Sequence, residues 1–318
     1  MSVVRSTAFA VAGGLAAALL FVSLAKGNVG GVMLMSMTPL PLFLAGLSFG
    51  IAPAAIASMV GAAVILATDT LYGAVFLVDF ALPVMIVVPL ALWRRRGETK
   101  WPTAGRLILG LTALAALVFI ASQVSLLGQP GGMEGSLRTA VGALSKELRN
   151  QDPQVGEQAE QMLQAAVRWL PGFGAVAWIG LIAANGVLAQ GALAGFGWAR
   201  RPSPSLAVFA VPWWTLLPLA IAIAAATLGR DLPRGEEIAF AGSNLVVILA
   251  MPFLFQGLGV LHALAARSSK RTWLLAGVYG AVLIFGWPIP LIVALGVIEQ
   301  WVGLRRRYAT TDQEKSDG

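Results

Sequence analysis

The sequence predicts an all-α membrane protein, a polytopic transmembrane helix bundle of about nine to ten spans with one extramembrane amphipathic helical loop. Hydrophobic residues make up 58% of the 318 residues, and charged residues only 12%, against about 25% charged in soluble domains. The apolar residues gather in blocks of about 15 to 25 residues, the length at which a helix crosses a hydrocarbon core of about 30 Å. Blocks of this length indicate spanning helices, because an exposed irregular backbone is not tolerated there.

The N-terminal membrane half, residues 1–127, contains five predicted spans. They are the blocks Thr7–Ala25, Val32–Gly50, Pro53–Ala67, Leu71–Trp93 and Ala104–Val124. Pro39 and Pro41 each remove a backbone donor from the second block. We therefore expect the second span to be kinked or broken.

Residues 128–171 are predicted to form an extracytoplasmic, amphipathic helical loop. A first helix is indicated by apolar residues that recur at helical spacing, namely Leu137, Val141, Leu144 and Leu148. Asp152 followed by Pro153 is typical of a cap and the first turn of a second helix. Two such helices could lie on the membrane surface or fold over the bundle.

The C-terminal membrane half, residues 172–304, contains four to five predicted spans. Three of them are Gly172–Phe196, Leu206–Leu228 and Ile238–Ala265. The last stretch, Thr272–Leu304, is too long for one ordinary span and is interrupted by glycine and proline near Trp287. It is either one long helix or a hairpin of two.

The charge distribution favours the hairpin. The net charge of +7 is interpreted as a signal of orientation and not of nucleic-acid binding, because basic loops face the cytoplasm. With a cytoplasmic N-terminus, the basic loops Arg94–Arg106, Arg200–Arg201 and Arg267–Arg271 share the cytoplasmic side. The basic-then-polar tail, residues 305–318, joins them only if the last stretch crosses twice. The sequence thus predicts ten spans in a bacterial inner membrane, and one long last helix would give nine.

The residue inventory argues against an enzyme. There is no cysteine, and His262 is the only histidine, so thiolate metal sites, cysteine nucleophiles and sites with several imidazoles are excluded. Glycine-rich phosphate loops are also missing from the sequence. We expect no catalytic activity, no metal and no cofactor, and any transport energy would come from a gradient or another subunit.

Ionisable residues within the spans are candidate ligand or proton-coupling sites, because each is costly in a bilayer. Asp79 is the strongest candidate, since no basic residue lies within a turn or two of it; the alternatives are a neutral Asp bonded across helices and one that faces a water-filled rim. Glu299 precedes Arg305 by nearly two helical turns, which favours an interfacial carboxylate over a pathway residue. His262 is either a titrating group near the cytoplasmic surface or a structural residue.

Four amide side chains complete the set of candidate site residues. Asn185 and Gln190 lie in the sixth span, and Asn244 and Gln256 lie in the eighth. Each could line a ligand site or simply bond across helices. Small residues at a spacing of four, as in Gly46–Gly50 and Gly191–Gly195, predict close helix packing.

Two resemblances follow from these patterns. The C-terminal quarter resembles the YybS-like family of bacterial membrane proteins, through the segment 256–262, Trp273 and a proline-broken pair ending in Glu299, Trp301 and Arg305. That family implies no established activity. The N-terminal half, with its prolines and small-residue third span, is similar to the S components of energy-coupling-factor vitamin transporters. This similarity implies a small-molecule substrate and a separate ATPase or other membrane subunit.

Two functions therefore remain open. The first is a small-molecule binding or transport component, in which Asp79 and the amides of the sixth and eighth spans line a cavity. The second is a scaffold or regulatory protein that acts on partners through the external loop and the basic loops. The expected partners are the lipid bilayer, a small molecule and another membrane subunit, with no nucleic acid. A polar cavity favours the first, and a solid core with a bonded Asp79 favours the second.

Overall fold

The long apolar blocks of the sequence form helices. The computed structural model describes residues 3–94, 101–204, 206 and 209–305, and no strand occurs in those ranges. The predicted all-α, polytopic fold class is therefore confirmed. The α-helices in the described ranges are α1 (Val3–Val22), α2 (Val29–Ser36), α3 (Pro39–Phe49), α4 (Ile51–Leu66), α5 (Thr70–Phe76), α6 (Leu82–Leu92), α7 (Ala104–Ser125), α8 (Gly132–Gln151), α9 (Pro153–Ala166), α10 (Leu170–Gly195), α11 (Leu216–Leu228), α12 (Gly235–Leu249), α13 (Met251–Ala265), α14 (Arg271–Phe285) and α15 (Pro288–Val302).

The helices correspond in order to the predicted spans. Seven helical segments of the described chain are long and apolar enough to cross a membrane: Val3–Ala25, Val29–Phe49, Thr70–Leu92, Ala104–Ser125, Leu170–Gly195, Trp213–Asp231 and Gly235–Ala265. Three shorter apolar helices, α4, α14 and α15, account for the short third block and the two halves of the last stretch. The last stretch is thus two helices, which is the division that the ten-span prediction requires.

Two predicted regions extend beyond the described residues. Positions 95–100 of the basic loop after the fourth block lie outside them. The predicted cytoplasmic tail also lies outside them, except for Arg305.

The second block is broken where its prolines predict. Helix α2 ends at Ser36 and α3 begins at Pro39, so Met37 and Thr38 separate two short helices. Pro39 occupies the first position of α3, where its missing N–H costs no helical hydrogen bond. The break leaves carbonyl groups at the end of α2 that need donors from elsewhere.

Residues 128–171 contain the two expected helices, α8 and α9. The Asp152 carboxylate caps α9 by accepting hydrogen bonds from the backbone N–H groups of Gln154 (2.9 Å) and Val155 (3.3 Å). Helices α8 and α9 pack together, and Arg149 forms an ion pair with Glu160. The amphipathic helical pair is therefore confirmed as structure, while its extracytoplasmic location stays a prediction.

The chain divides into two units that are each discontinuous in sequence. Unit 1 comprises Met1–Leu111 and Trp178–Ser205, and unit 2 comprises Thr112–Ala177 and Leu206–Gly318. The division falls inside α7 and inside α10, so each of these helices contributes one part to each unit.

In unit 1, small residues allow α1 to approach α4 closely. The buried face of α1 consists largely of glycine and alanine. A Cβ atom on Gly14 would meet the Ala57 carbonyl oxygen and the Val60 side chain, so no larger residue fits at this crossing. Next to it, the Phe21 ring packs edge-to-face on Phe76 and on Phe80, with ring centroids 5.7 Å apart in both pairs.

In unit 2, the closest helix crossing joins α13 and α15. A Cβ atom on Gly257 would meet the Ile292 carbonyl oxygen, and one on Gly296 would meet the Phe253 carbonyl oxygen. Backbone contact at this range is possible only because both positions are glycine. The crossing positions Gln256 and Glu299, two of the candidate residues.

The packing prediction from small-residue spacing is right at one place and wrong at another. Gly46 packs against the Val88 and Ala54 side chains, as the pattern predicts. Gly191 and Gly195 have open space around the position of a Cβ atom, so they pack against no helix of the described chain. Small residues at this spacing permit close helix packing, but close packing occurs only where the fold places a second helix against them.

We predict that Gly296→Ala destabilises the protein. The added methyl group forces α13 and α15 apart, and overpacking of this kind lowers the free energy of unfolding by about 1–3 kcal/mol. The measurement is chemical denaturation of the purified protein in mild detergent. Gly280→Ala in α14 is the matched control, because its Cβ would enter open space. Equal stability of the two variants would contradict the prediction.

Candidate functional site

The candidate residues are divided between the two units. Unit 1 contains Asp79, Asn185 and Gln190, and unit 2 contains Asn244, Gln256, His262 and Glu299. The surroundings of each residue show which polar groups are already satisfied by the fold. They also show which groups remain open to a proton or a ligand.

Asp79 lies in a π-helical segment, Leu77–Ala81, between α5 and α6. A π-helical turn displaces the regular hydrogen-bond ladder, and such turns are frequent at functional sites. The indole Nε1 of Trp178 donates to the Asp79 carbonyl oxygen at 2.8 Å. The Asp79 side chain is partly buried, and its carboxylate has no hydrogen-bond or ion-pair partner among the described residues. This carboxylate is therefore open to a proton or a ligand.

Asn185 of α10 faces the break between α2 and α3. Its Nδ2 atom donates to the carbonyl oxygens of Ser36 and Leu181, each at 2.9 Å. Ser36 is the last residue of α2, so Asn185 satisfies a carbonyl that the broken helix leaves open. The Asn185 Oδ1 atom and the Thr38 hydroxyl are buried without a partner in the described chain.

Trp178 and Asn185 are seven residues apart on α10, which places them two turns apart on one face. One donates to the π-helical segment and the other to the broken second span. A single face of α10 thus stabilises two of the helix irregularities in unit 1.

Further along α10, Gln190 contacts the loop that follows the helix. Its Nε2 atom donates to the Arg201 carbonyl oxygen at 2.8 Å, and both side chains are buried, with 6% of each exposed. The amide therefore holds the backbone of this basic loop against α10. The Arg201 side chain itself lies in the interior of unit 1.

The Arg201 guanidinium is bonded to carbonyl oxygens only. Its Nη1 atom donates to Ala91 (3.1 Å), Nη2 to Pro102 (2.9 Å) and Nε to Pro202 (3.3 Å). Ala91 lies in the last turn of α6, where the helix dipole favours a cation. Burial lowers the pKa of Arg201 from its ordinary value, yet a guanidinium stays protonated in proteins. No carboxylate pairs with it in the described chain, so a full positive charge is buried here.

Arg201 also lines a cavity of about 210 Å³ in unit 1. Its wall is mainly apolar and includes Phe43, Val87, Ile108, Leu111, Ile182 and Val187. Its polar groups are Gln190, Arg201 and Ser203. An apolar wall with a few convergent polar groups is typical of a small-molecule site. We refer to it as the unit 1 cavity.

A second cavity, of about 280 Å³, lies in unit 2 near the starts of α8 and α12. Its polar lining includes Glu134, Arg234, Glu236 and Glu237. Glu134 already pairs with Arg138 at 2.6 Å. This cavity differs from the unit 1 cavity because acidic side chains line it.

In unit 2, Asn244 is fully buried and uses its amide to join two helices. Its Oδ1 atom accepts from the Gly172 N–H at 2.7 Å, and Nδ2 donates to the carbonyl oxygens of Arg168 (3.0 Å) and Phe240 (2.9 Å). Gly172 is in the first turn of α10, whose N–H groups have no partner within the helix. Asn244 therefore acts as a cap for α10.

Gln256 has the same kind of role at the crossing of α13 and α15. Its Nε2 atom donates to the Gly296 carbonyl oxygen at 2.8 Å, and its Oε1 atom accepts from the Val211 N–H at 3.0 Å. The Gln300 Nε2 atom also donates to Oε1, at 3.3 Å, which is the third hydrogen bond of the Gln256 side chain. With 2% of its surface exposed, Gln256 uses both polar atoms of its amide in bonds within unit 2.

Glu299 forms an ion pair that its sequence spacing did not predict. Helix α15 ends at Val302, and Gly303 takes a left-handed conformation with φ of +59°, which turns the chain back. Arg305 Nε then lies 2.8 Å from Glu299 Oε1, and Arg305 Nη1 donates to the Phe209 carbonyl oxygen at 2.7 Å. Only 7% of Glu299 is exposed, so it is a buried, paired group, while its Oε2 atom has no hydrogen-bond partner in the described chain.

His262 is partly buried near the end of α13. Its Nδ1 atom bonds to the Leu258 carbonyl oxygen within the same helix at 2.9 Å, and its ring packs edge-to-face on Tyr279 at 5.9 Å. These contacts fit the structural role that was one of the two predicted alternatives.

Arg201 is the residue that the sequence analysis missed. In the sequence it is one charge of a basic loop, and charges next to spans usually report orientation. The neighbouring Gln190, a buried amide near the same end of the span, was the available signal. Sequence alone does not show which of two adjacent arginines faces the interior.

The comparisons with known proteins give one match. A family model described as a predicted membrane protein family, DUF2232, matches residues 14–299 of the chain. Neither a curated protein nor a solved structure matches.

We predict that Asn244→Leu lowers stability. The change leaves the Gly172 N–H and the Arg168 carbonyl without partners. Each unsatisfied buried group lowers the free energy of unfolding by about 1–3 kcal/mol. Chemical denaturation in mild detergent measures the loss. Thr227→Val is the control, because that hydroxyl bonds only within α11. Unchanged stability together with lost ligand binding would instead make Asn244 a ligand residue.

Proposed function

The chain belongs to the DUF2232 family of predicted membrane proteins, and we propose that it is a small-molecule binding component of a membrane transport system. The observation that supports this proposal most is the unit 1 cavity, with its apolar wall and the buried Arg201 charge at its side. A solid apolar core would instead favour a scaffold. The unpartnered Asp79 carboxylate adds a second open polar group to the same unit.

The proposal includes a separate energy-providing partner. The sequence carries no phosphate-binding loop, so a gradient or another subunit has to drive any transport. The similarity of the N-terminal half to S components of energy-coupling-factor transporters favours a separate ATPase subunit. The YybS-like resemblance adds no activity of its own.

We further propose a bacterial inner membrane location with a cytoplasmic N-terminus. The basic loops support this orientation through the positive-inside rule. The loop that contains Arg200 and Arg201 would then face the cytoplasm, which places the polar part of the unit 1 cavity close to the cytoplasmic side. The loop with α8 and α9 would face outward.

The second candidate function is a scaffold that binds partners through α9. Val155 and Met162 are seven residues apart in α9, and 51% and 74% of their surfaces are exposed; Trp169, 41% exposed, follows in the turn after the helix. Residues at that interval share one helix face. An exposed apolar stripe of this kind supports contact with a protein or a membrane surface.

We predict that filling the cavity removes a bound small molecule. Gly186 lines the cavity, and a Cβ there would make only ordinary contact with the Phe43 ring, so Gly186→Leu fills space without a backbone clash. After affinity purification in mild detergent, mass spectrometry should find a small molecule on the wild type that is absent from this variant. Gly180→Leu in the same helix is the control, since open space surrounds that position.

The same purification separates the two functions. An ATPase subunit among the co-purifying proteins, or a ligand lost in Asp79→Asn, supports the transport component. Other envelope proteins with no small molecule, and no effect of Gly186→Leu or Asp79→Asn, would favour the scaffold.

We predict opposite accessibility for two single-cysteine variants. The natural chain has no cysteine, so each introduced thiol is the only one. Gln158→Cys in α9 should react with a membrane-impermeant maleimide in intact cells, whereas Ser269→Cys should react only after permeabilisation. The reverse pattern would place the basic loops outside and overturn the proposed orientation.

A further inference from the structure

The buried guanidinium in unit 1 indicates the chemical class of the ligand. We propose that the unit 1 cavity takes a small amphipathic anion, with a carboxylate or phosphate group beside Arg201 and an apolar body among the surrounding side chains. This assignment rests on the binding function proposed above and adds the nature of the ligand to it.

Charge compensation is the first argument. Arg201 is 94% buried, since only 6% of its surface is exposed, and an unpaired buried charge is costly. Three of its five N–H groups donate to carbonyl oxygens. The other two have no partner among the described residues. Carbonyl dipoles stabilise the cation but do not neutralise it, whereas an oxyanion both neutralises it and accepts the remaining N–H groups.

The lining of the cavity is the second argument. Among the described lining residues there is no aspartate and no glutamate. A cationic ligand would meet Arg201 without any compensating carboxylate. A neutral apolar ligand would contact the apolar wall of the cavity but leave two N–H groups of Arg201 without a partner.

The size of the cavity limits the ligand further. Its volume of about 210 Å³ lies below the range of roughly 300–1,000 Å³ that is typical of drug-sized ligands. A short amphiphile fits within it. A two-chain lipid does not, although its anionic headgroup could enter while its chains stay in the bilayer.

The test uses octanoate, octan-1-ol and octylammonium as matched probes. The full-length protein is placed in nanodiscs of neutral phosphatidylcholine, and the melting temperature is measured against probe concentration. Each probe is tested on the wild type, Gly186→Leu and Gly180→Leu. A rise in melting temperature that is lost in Gly186→Leu and kept in Gly180→Leu is assigned to binding in the unit 1 cavity, and we call it cavity-dependent stabilisation. We expect octanoate to raise the melting temperature of the wild type saturably.

The expected discrimination comes from the charge-assisted hydrogen bonds. Their loss should weaken apparent binding of octan-1-ol by roughly tenfold to hundredfold relative to octanoate. Octylammonium should show no cavity-dependent stabilisation. Arg201→Gln should reduce octanoate binding by a similar factor. Arg201 also bonds three carbonyl groups, so Arg201→Gln can prevent folding. In that case the comparison of the three probes on the Gly186 and Gly180 variants still decides the question.

A second arm distinguishes a soluble anion from a lipid headgroup. Nanodiscs that contain anionic phosphatidylglycerol are compared with neutral ones in the absence of octanoate. Cavity-dependent stabilisation by phosphatidylglycerol alone supports a lipid headgroup, and stabilisation by octanoate in both membranes supports a soluble anion.

Two outcomes would overturn the inference in different ways. If octan-1-ol or octylammonium stabilises the cavity as well as octanoate does, the anionic class is wrong while the binding function stands. If no probe and no lipid gives cavity-dependent stabilisation and no small molecule co-purifies, the binding function itself is wrong.

Discussion

Every backbone carbonyl that an irregular helix leaves open must find a donor within the protein, because the hydrocarbon of a bilayer offers none. In unit 1, side chains of α10 supply such donors. Trp178 donates to the π-helical segment that carries Asp79, and Asn185 donates to the end of the broken second span. Gln190 then fixes the loop after α10, and Arg201 of that loop lies in the interior. Of these side chains, Gln190 and Arg201 line the unit 1 cavity.

Polar side chains of the spans consequently fall into two groups. Asn244 and Gln256 have all their main hydrogen bonds filled by backbone groups, and Glu299 is held by Arg305. Such groups connect helices and contribute to stability. Asp79 and Arg201 are different, because neither charged group has an oppositely charged partner among the described residues. Open groups of this kind are where a ligand or a proton can act.

The unit 1 cavity and the exposed apolar residues of α9 belong to different parts of the chain. The apolar wall beside Arg201 is in unit 1, and the exposed stripe of α9 is in unit 2. A binding role therefore does not exclude contacts through α9. A component that captures a molecule and depends on a partner for energy would use both features.

Sequence periodicity and composition determined the elements that depend on local physics. They include the apolar blocks, the break at Pro39 and the cap at Asp152, because helix length, a missing N–H and a capping carboxylate act within a few residues. Only the tertiary structure decided that Glu299 meets Arg305 across the turn at Gly303, that Gly191 has open space around its Cβ position in the described chain, and that Arg201 is buried. These depend on which surfaces the fold brings together, and no local pattern in a single sequence encodes that.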